Sequence, residues 1–232
     1  MNRTIRLLAP LLLILAATLA CAIPGFDSDP TPPPDPTPPG DMIFFTAPFR
    51  APLHAGTYIP GTQIGYLQSS GEVHELLIDG LRAYRQVGDS ITWRGIVAPG
   101  VQGTYQLRLQ SSFRGELSAE GQVQLVVLNP IPVEIPPTQT PAGTIYFSGI
   151  PVTYVVPEGA NIPGTSLVYE GQRNGVAELS GTAGYPFFSV EDSLLWLGKL
   201  RQDVTVRYNM RVNRLDQYGL HLGGTAELWV VK

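Results

Sequence analysis

The chain contains one domain-sized segment twice, and no other feature restricts its possible folds as strongly. The tetrapeptide IPGT occurs at residues 59–62 and again at residues 162–165. When the chain is shifted against itself by 103 positions, the match runs without a gap from residue 59 to about residue 128. Upstream, MIFFT at residues 42–46 matches TIYFS at residues 144–148 with a slip of one residue. We therefore expect two copies of a unit of about 90 residues, each large enough for its own core.

Segments with a period of two predict that each copy consists of β-strands. The stretches TYQLRLQ (residues 104–110) and RYNMRVN (residues 207–213) alternate between apolar and polar side chains. About seven short strands with frequent Gly and Pro turns favour a small β-sandwich of broadly immunoglobulin-like architecture. A small closed barrel is the alternative. The expected fold is all-β, with two tandem β-sandwich domains joined by proline-rich spacers.

One stretch has helical spacing, but the repeat argues against a helix there. VHELLIDGLRAY (residues 73–84) places apolar residues at helical intervals. The matching stretch of the second copy contains Gly181, Gly184 and Pro186, which a stable helix does not tolerate. Because homologous copies share a fold, we expect a short strand followed by a loop in both.

The repeated IPGT itself predicts a turn. Proline sets φ at the first corner, glycine permits a positive φ at the next, and threonine enters a strand. Its recurrence therefore requires no ligand.

Composition divides the rest of the chain into connecting segments. We predict a signal peptide at 1–20, a proline-rich stalk at 21–41, the first repeat at 42–128, a proline-rich linker at 129–142 and the second repeat at 143–232. Both proline-rich segments favour an extended backbone, so the stalk holds the folded part away from its attachment point. The linker predicts two copies separated like beads on a semi-rigid string, not stacked as in a solenoid.

The N-terminal segment is typical of an exported protein. Arg3 and Arg6 precede the apolar stretch LLAPLLLILAATLA at residues 7–20, which ends in small residues. The stretch is too short to span a bilayer comfortably, and Pro10 interrupts it. A secretory signal peptide is therefore predicted.

The end of this signal peptide resembles the lipobox of bacterial lipoproteins. The match is the tetrapeptide TLAC at residues 18–21, and it departs from the family pattern because Thr18 stands where Leu is favoured. The resemblance implies that Cys21, the only cysteine, is lipidated and anchors the protein in a membrane facing outside the cytoplasm. The alternative is ordinary secretion through an A-x-A site at residues 20–22, which would remove Cys21.

The charge and the histidines exclude several function classes. The formal net charge is −4. The sequence has no basic stripe of the kind that predicts a nucleic-acid partner, so we expect none. His54, His74 and His221 occupy non-equivalent positions of the two copies. No nucleophile motif and no spaced Cys/His cluster occurs, so we expect no catalytic residue, no metal site and no cofactor. Calcium needs only carboxylates and carbonyls, but no D-x-D-x-D-G run is present.

Three polar positions recur in both copies: Glu75 and Glu178, Asp89 and Asp192, Arg108 and Arg211. They could form equivalent ligand sites, or a carboxylate pair of the kind that hydrolyses glycosides. The structural interpretation is that Asp binds the backbone of a turn, while Glu and Arg form cross-strand pairs.

Trp93 and Trp196 are equivalent tryptophans with two possible roles. Trp93 shares a strand face with Ile91, and Trp196 shares one with Leu194, which indicates core residues. The alternative is a platform on which a sugar stacks, which makes these two residues candidates for binding a ligand that the sequence does not identify. Trp229 has no counterpart in the first copy and is expected at the surface.

The sequence thus predicts a lipid-anchored cell-envelope protein with a non-catalytic binding or scaffolding role. An envelope protein or a polysaccharide is the expected partner besides the membrane. The alternative functions are a carbohydrate-active enzyme, or its accessory sugar-binding module, and an assembly subunit whose sheet edges pair with other chains.

Overall fold

A computed structural model of the chain describes residues 42–139, 141–182 and 184–232. These residues form seventeen β-strands and no helix. The predicted all-β fold class is therefore confirmed. The signal peptide, Cys21 and the stalk lie outside the described residues.

The strands follow the repeat. Those of the first copy are β1 (Met42–His54), β2 (Thr57–Tyr58), β3 (Ile64–Ser70), β4 (Val73–Ile78), β5 (Leu81–Arg85), β6 (Ser90–Ala98), β7 (Val101–Phe113) and β8 (Glu116–Leu128). The linker contributes β9 (Val133–Glu134). Those of the second copy are β10 (Ile145–Val156), β11 (Ala160–Asn161), β12 (Val168–Arg173), β13 (Val176–Ser180), β14 (Phe187–Phe188), β15 (Ser193–Arg201), β16 (Val204–Asp216) and β17 (Gly219–Val230).

Each copy contains one large and one small antiparallel sheet. In the first copy the orders are β1-β8-β7-β6 and β2-β3-β4-β5. In the second copy they are β10-β17-β16-β15-β9 and β11-β12-β13-β14. Apart from β9, the two copies have the same strand order, as a repeated sequence requires.

The alternation predicted for the long strands is present. In β7, Tyr105 and Leu107 are buried, whereas Gln106 and Arg108 are exposed. β16 repeats this pattern at the equivalent positions. Burying a side chain of leucine size stabilises the fold by about 1.5–3 kcal/mol, so each large sheet is held by its apolar face.

The stretch with helical spacing is a β-hairpin. Strands β4 and β5 pair directly, with Ile78 opposite Leu81. The turn residues Asp79 and Gly80 both have positive φ, 51° and 81°, as in the two-residue turns that suit hairpins. In the first copy the expected strand is confirmed, but the expected loop is wrong, because Asp-Gly closes a hairpin with a second strand. In the second copy β13 ends at Ser180 and the next strand, β14, begins only at Phe187.

The one-residue slip between the copies is a β-bulge. In the pairing of β10 with β17, Phe147 lies opposite Leu228 and Ile150 lies opposite Ala226, so two residues of β10 face one of β17. Gly149 in this bulge has a φ of 64°. The equivalent pairing of β1 with β8 is regular. One inserted residue therefore accounts for the slip.

Both IPGT segments form the predicted turn. The hydroxyl of Thr62 donates to the carbonyl of Ile59 at 2.9 Å, and Thr165 donates to Ile162 at 3.0 Å. The glycine between them has a φ of 79° in the first copy and 75° in the second. These values match a type II turn with proline at the first central position.

The two copies touch each other, contrary to the expected beads on a string. The rings of Phe49 and Phe147 lie 6.1 Å apart, and those of Phe45 and Tyr208 lie 6.4 Å apart. The described residues belong to one compact unit. Aromatic side chains of both copies pack against one another at a seam between β1 and β10. The linker therefore does not hold the copies apart.

The linker is not only a spacer. Its strand β9 pairs with β15, the edge strand of the second copy's large sheet, with Val133 opposite Lys199 and Glu134 opposite Gly198. Thus a proline-rich segment that precedes the second copy becomes part of its sheet.

Candidate functional site

The tryptophans proposed as ligand platforms are core residues. Trp93 is 4% exposed and Trp196 is 2% exposed. The indole N–H of Trp93 donates to the Asp79 carboxylate at 2.8 Å, and that of Trp196 donates to the Ser166 hydroxyl at 3.4 Å. Because both rings are buried, neither offers a face on which a sugar could stack, and the platform interpretation is not supported.

The recurring aspartates organise turns. The carboxylate of Asp89 accepts a hydrogen bond from the backbone N–H of Gln86 at 2.8 Å. Asp192 accepts one from the N–H of Ser189 at 2.7 Å in the second copy. Both carboxylates therefore have the structural role that the sequence allowed.

The recurring glutamates pair with arginines other than the recurring ones. Glu75 accepts from Arg82 at 2.6 Å and from Gln68 at 2.7 Å. Glu178 lies 2.5 Å from the Arg173 guanidinium. The expected cross-strand pairs with Arg108 and Arg211 are absent in the described residues, because Glu75 and Glu178 belong to the small sheets while both arginines belong to the large ones.

The three histidines lie in unrelated surroundings. His54 is 3.8 Å from Glu116, and His74 is buried against Tyr66. His221 contacts Asp216 at 2.9 Å. Desolvation acts to raise the pKa of Asp216, but the backbone N–H of Tyr218, His221 and Arg214 together lower it. These contacts stabilise local structure and do not assemble a nucleophile and a base.

A groove of about 1100 Å³ lies over the outer face of the first copy's large sheet. Two cross-strand rows form its floor. One row is Arg50, Glu120, Arg108 and Ser90, and the next is Pro48, Gln122, Gln106 and Thr92. Residues 146–148 of β10 complete its lining. This outer groove is therefore built by both copies.

The charged side chains of the outer groove form contacts within the protein. Arg50 forms an ion pair with Glu120, the one carboxylate among the described residues that line the groove. The Arg108 guanidinium donates to the carbonyl of Gly88 at 2.7 Å. Within the described residues, no hydrogen bond occupies the amides of Gln106 and Gln122. These amides can both donate and accept, so the groove suits an uncharged polar ligand.

An aromatic pair flanks the outer groove. Tyr146 is 48% exposed, and its ring centre lies 5.2 Å from that of Trp229. The guanidinium of Arg207 covers Trp229 at 5.4 Å. The Tyr146 hydroxyl donates to Glu227 at 2.9 Å. Desolvation and the neighbouring Glu227 raise the pKa of Tyr146 and outweigh the lowering by Ser148 and Arg207.

The equivalent face of the second copy has different chemistry. The row matching the second row of the outer groove is Pro151, Thr225, Asn209 and Leu195. Gly223 stands where the first copy has Glu120. Since long amides and the carboxylate are replaced by shorter and apolar groups, only the first copy has the amide-lined face.

Sequence reasoning missed this groove because it considered only polar residues that recur in both copies. The sequence did contain a signal for the groove, namely several glutamines on the polar faces of the long strands: Gln102, Gln106, Gln110, Gln122 and Gln124. The contribution of β10 could not be found in this way, because it depends on the contact between copies.

Comparison with protein-family models, with curated proteins and with solved structures gives no match to this chain. Among the described residues, no group of three or more His, Cys, Asp or Glu side chains could hold a metal ion. The same residues include no helix of a length and apolarity that would cross a membrane.

Proposed function

We propose that this chain is an exported protein of the cell envelope, anchored by a lipid on Cys21, that binds an uncharged polar polymer without catalysis. The signal peptide and the lipobox-like residues support the anchor, although both lie outside the described residues. The stalk would present the folded part to material beyond the membrane.

The outer groove is the observation that carries the binding proposal. It combines unoccupied amides on Gln106 and Gln122 with a partly exposed aromatic ring at Tyr146. A few placed polar groups beside an aromatic side chain are typical of sites that orient a small-molecule or sugar ligand. Its open, elongated floor across four strands suits a segment of polysaccharide.

Binding to isolated cell-wall polysaccharide tests this proposal. The mature chain should sediment with the polysaccharide saturably. Gln106→Ala with Gln122→Ala should weaken binding about thirtyfold, because each amide bond contributes about 1 kcal/mol. The matched control is Asn209→Ala with Thr225→Ala on the second copy, which should bind like wild type. Equal binding by both double variants, or no saturable binding, would refute the groove as the site.

A carbohydrate-active enzyme is the second candidate, because a groove that holds a polysaccharide could also cleave it. Glycoside hydrolysis normally uses two carboxylates on either side of the bond. The outer groove offers Glu120, and this residue is paired with Arg50. These features support binding over hydrolysis. Release of reducing ends that disappears in Glu120→Gln would establish the enzyme instead.

Lipid anchoring has its own test. Globomycin blocks lipoprotein maturation, so it should cause an unprocessed precursor to accumulate, and Cys21→Ser should release the protein from the membrane fraction. Normal processing in the presence of globomycin would instead indicate ordinary secretion at residues 20–22.

At the level of architecture, we further propose that each copy is a small β-sandwich of the immunoglobulin-like class, in tandem. Each copy has two four-stranded sheets of its own, and residues from both are buried, such as Tyr66 of β3 with Tyr105 of β7. The open strand orders support a sandwich over a closed barrel.

A further inference from the structure

The edge of the second copy's large sheet shows which kind of strand this fold accepts. The backbone N–H of Ile135 donates to the carbonyl of Leu197 at 3.0 Å. Val133 lies opposite Lys199, two residues away on each strand. Because alternate residues of a strand point their backbone groups to the same side, residues 133 and 135 both face β15. The linker thus closes this edge through its backbone.

The linker segment that closes this edge has its donors almost entirely on one side. Residues 130–136 read PIPVEIP. The odd-numbered residues have N–H groups and face β15, whereas three of the four even-numbered residues are prolines, which have none. On the far side only Glu134 keeps an N–H. A segment of this pattern completes a sheet without offering a new edge for further strands.

Strand β6 is the equivalent edge of the first copy, and its outward backbone groups have no partner strand among the described residues. The N–H of Leu109 in β7 donates to the carbonyl of Asp89 at 3.0 Å. Asp89 directly precedes β6, so the odd-numbered residues of β6 face β7 and the even-numbered ones, including Arg94 and Ile96, face outward. Within residues 42–139, 141–182 and 184–232, only β7 pairs with β6.

The backbone of β6 has the shape that accepts a strand in the second copy. The pairing of β6 with β7 has a bulge between Ile96 and Ala98. The same bulge recurs in β15 between Lys199 and Arg201, the equivalent residues, and it does not prevent β9 from pairing there. β6 reads SITWRGIVA, which contains no proline and no charge on its buried face. The usual devices that block strand addition are therefore missing from this edge.

The outward side chains of β6 define the chemistry of a strand that fits it. Ile96 is 74% exposed, at the position that faces Val133 in the second copy. Arg94 is exposed as well. No carboxylate of the described residues lies within ion-pair distance of it. An added strand covers Ile96 best with an apolar side chain, and it compensates Arg94 with a carboxylate.

We propose that β6 receives an extended segment of a partner protein as an antiparallel strand, in the manner in which β15 receives the linker. The segment carries an apolar residue opposite Ile96 and an acidic residue two positions later, opposite Arg94. The added strand lies beside the outer groove, whose lining includes Ser90 and Thr92 of β6. This partner is distinct from the polymer proposed for the groove, and neither proposal depends on the other.

A synthetic peptide of residues 130–136 that carries the change Ile135→Glu tests the pairing. In the register of the second copy it places Val133 opposite Ile96 and the new carboxylate opposite Arg94. Added to the isotope-labelled mature chain, it should bind saturably and slow amide exchange at Arg94 and Ile96. The same peptide with Val133→Pro in addition lacks the central donor, and it should not bind.

A charge exchange tests the chemistry of the partner. Arg94→Glu should weaken binding of this peptide about tenfold, because a like charge replaces an opposite one. A peptide that carries Ile135→Lys should bind Arg94→Glu as the first peptide binds wild type. Arg114→Glu makes the same change at the exposed turn after β7, away from β6, and is the matched control. It should bind the first peptide like wild type.

Four outcomes would overturn the proposal. Absence of saturable binding, or equal binding of the peptide with and without Val133→Pro, would show that β6 does not accept a strand through its backbone. Equal binding by wild type and Arg94→Glu would show that the carboxylate is not recognised. Slow exchange at Arg94 and Ile96 without peptide would show that the edge is already covered. If that protection disappeared on dilution, the covering strand would come from a second copy of the chain.

Discussion

Gly61 and Gly164, the glycines of the two IPGT turns, each lie against a residue of the other copy. A Cβ on Gly61 would lie 2.6 Å from Cδ1 of Ile145 and 2.8 Å from Cγ1 of Val97. A Cβ on Gly164 would lie 3.3 Å from Cδ1 of Ile43. Ile43 and Ile145 are equivalent residues, so each copy places the same isoleucine on the IPGT turn of the other. The repeated tetrapeptide therefore serves as a turn and as a contact surface.

The substitution Gly61→Ala should destabilise the protein more than Gly56→Ala. Both glycines have a φ near 80°, so the two variants share the backbone cost of a left-handed alanine. Only at Gly61 does the new methyl group meet buried side chains, which adds about 1–3 kcal/mol. Urea unfolding of both variants gives the difference, and equal losses of free energy would contradict the contact at this turn.

At the scale of elements, the linker strand β9 shows how proline can build a sheet edge. Its donors at residues 131, 133 and 135 face β15, and its prolines face away. A proline-rich composition normally predicts an extended spacer, and only the order of prolines and N–H groups distinguishes an edge strand from it. β9 covers β15 because its pattern fits one side of a sheet.

Proline substitutions at neighbouring positions of β9 should therefore differ in their effect on amide exchange in β15. Val133→Pro removes a donor that faces β15 and should accelerate amide exchange at Lys199 about fivefold or more. Glu134→Pro removes an N–H that faces away, so exchange at Lys199 should stay as in wild type. Similar acceleration in both variants would mean that β9 is held by something other than its backbone.

How far the sequence predicts these elements depends on the range of the interactions. The alternation around Tyr105 and Tyr208 is local, and it predicted the buried faces correctly. The hairpin of β4 and β5 was only half predicted, because the turn at Asp79 and Gly80 was not recognised as a hairpin signal. The seam between the copies depends on contacts between residues about 100 positions apart, which no local pattern encodes. The same holds for the part of the outer groove that β10 lines.

At the scale of the molecule, the two copies share aromatic packing and should unfold as one body. Phe49 of β1 contacts Tyr105 of its own copy, with ring centres 5.3 Å apart, and Phe147 of the other copy. The outer groove depends on this arrangement because residues 146–148 line it. If the copies moved independently, the groove would lose its aromatic rim.

The substitution Phe49→Ala should lower the free energy of unfolding of both copies. Phe49 is half-buried, so its removal should cost less than the about 3–5 kcal/mol of a fully buried phenylalanine, but the ring contacts side chains on either side of the seam. Phe113→Ala is the control, because Phe113 lies exposed at the end of β7 and its loss should change stability by less than about 0.5 kcal/mol.

Native-state hydrogen exchange across a urea series, in wild type and in Phe49→Ala, tests most directly whether the two copies unfold together. The slowest amides of β7 and β16, one strand from each copy, should open with the same free energy, and Phe49→Ala should lower both by the same amount. Two different opening free energies, with only the β7 amides responding to Phe49→Ala, would mean that the copies are independent and that no fixed groove lies between them.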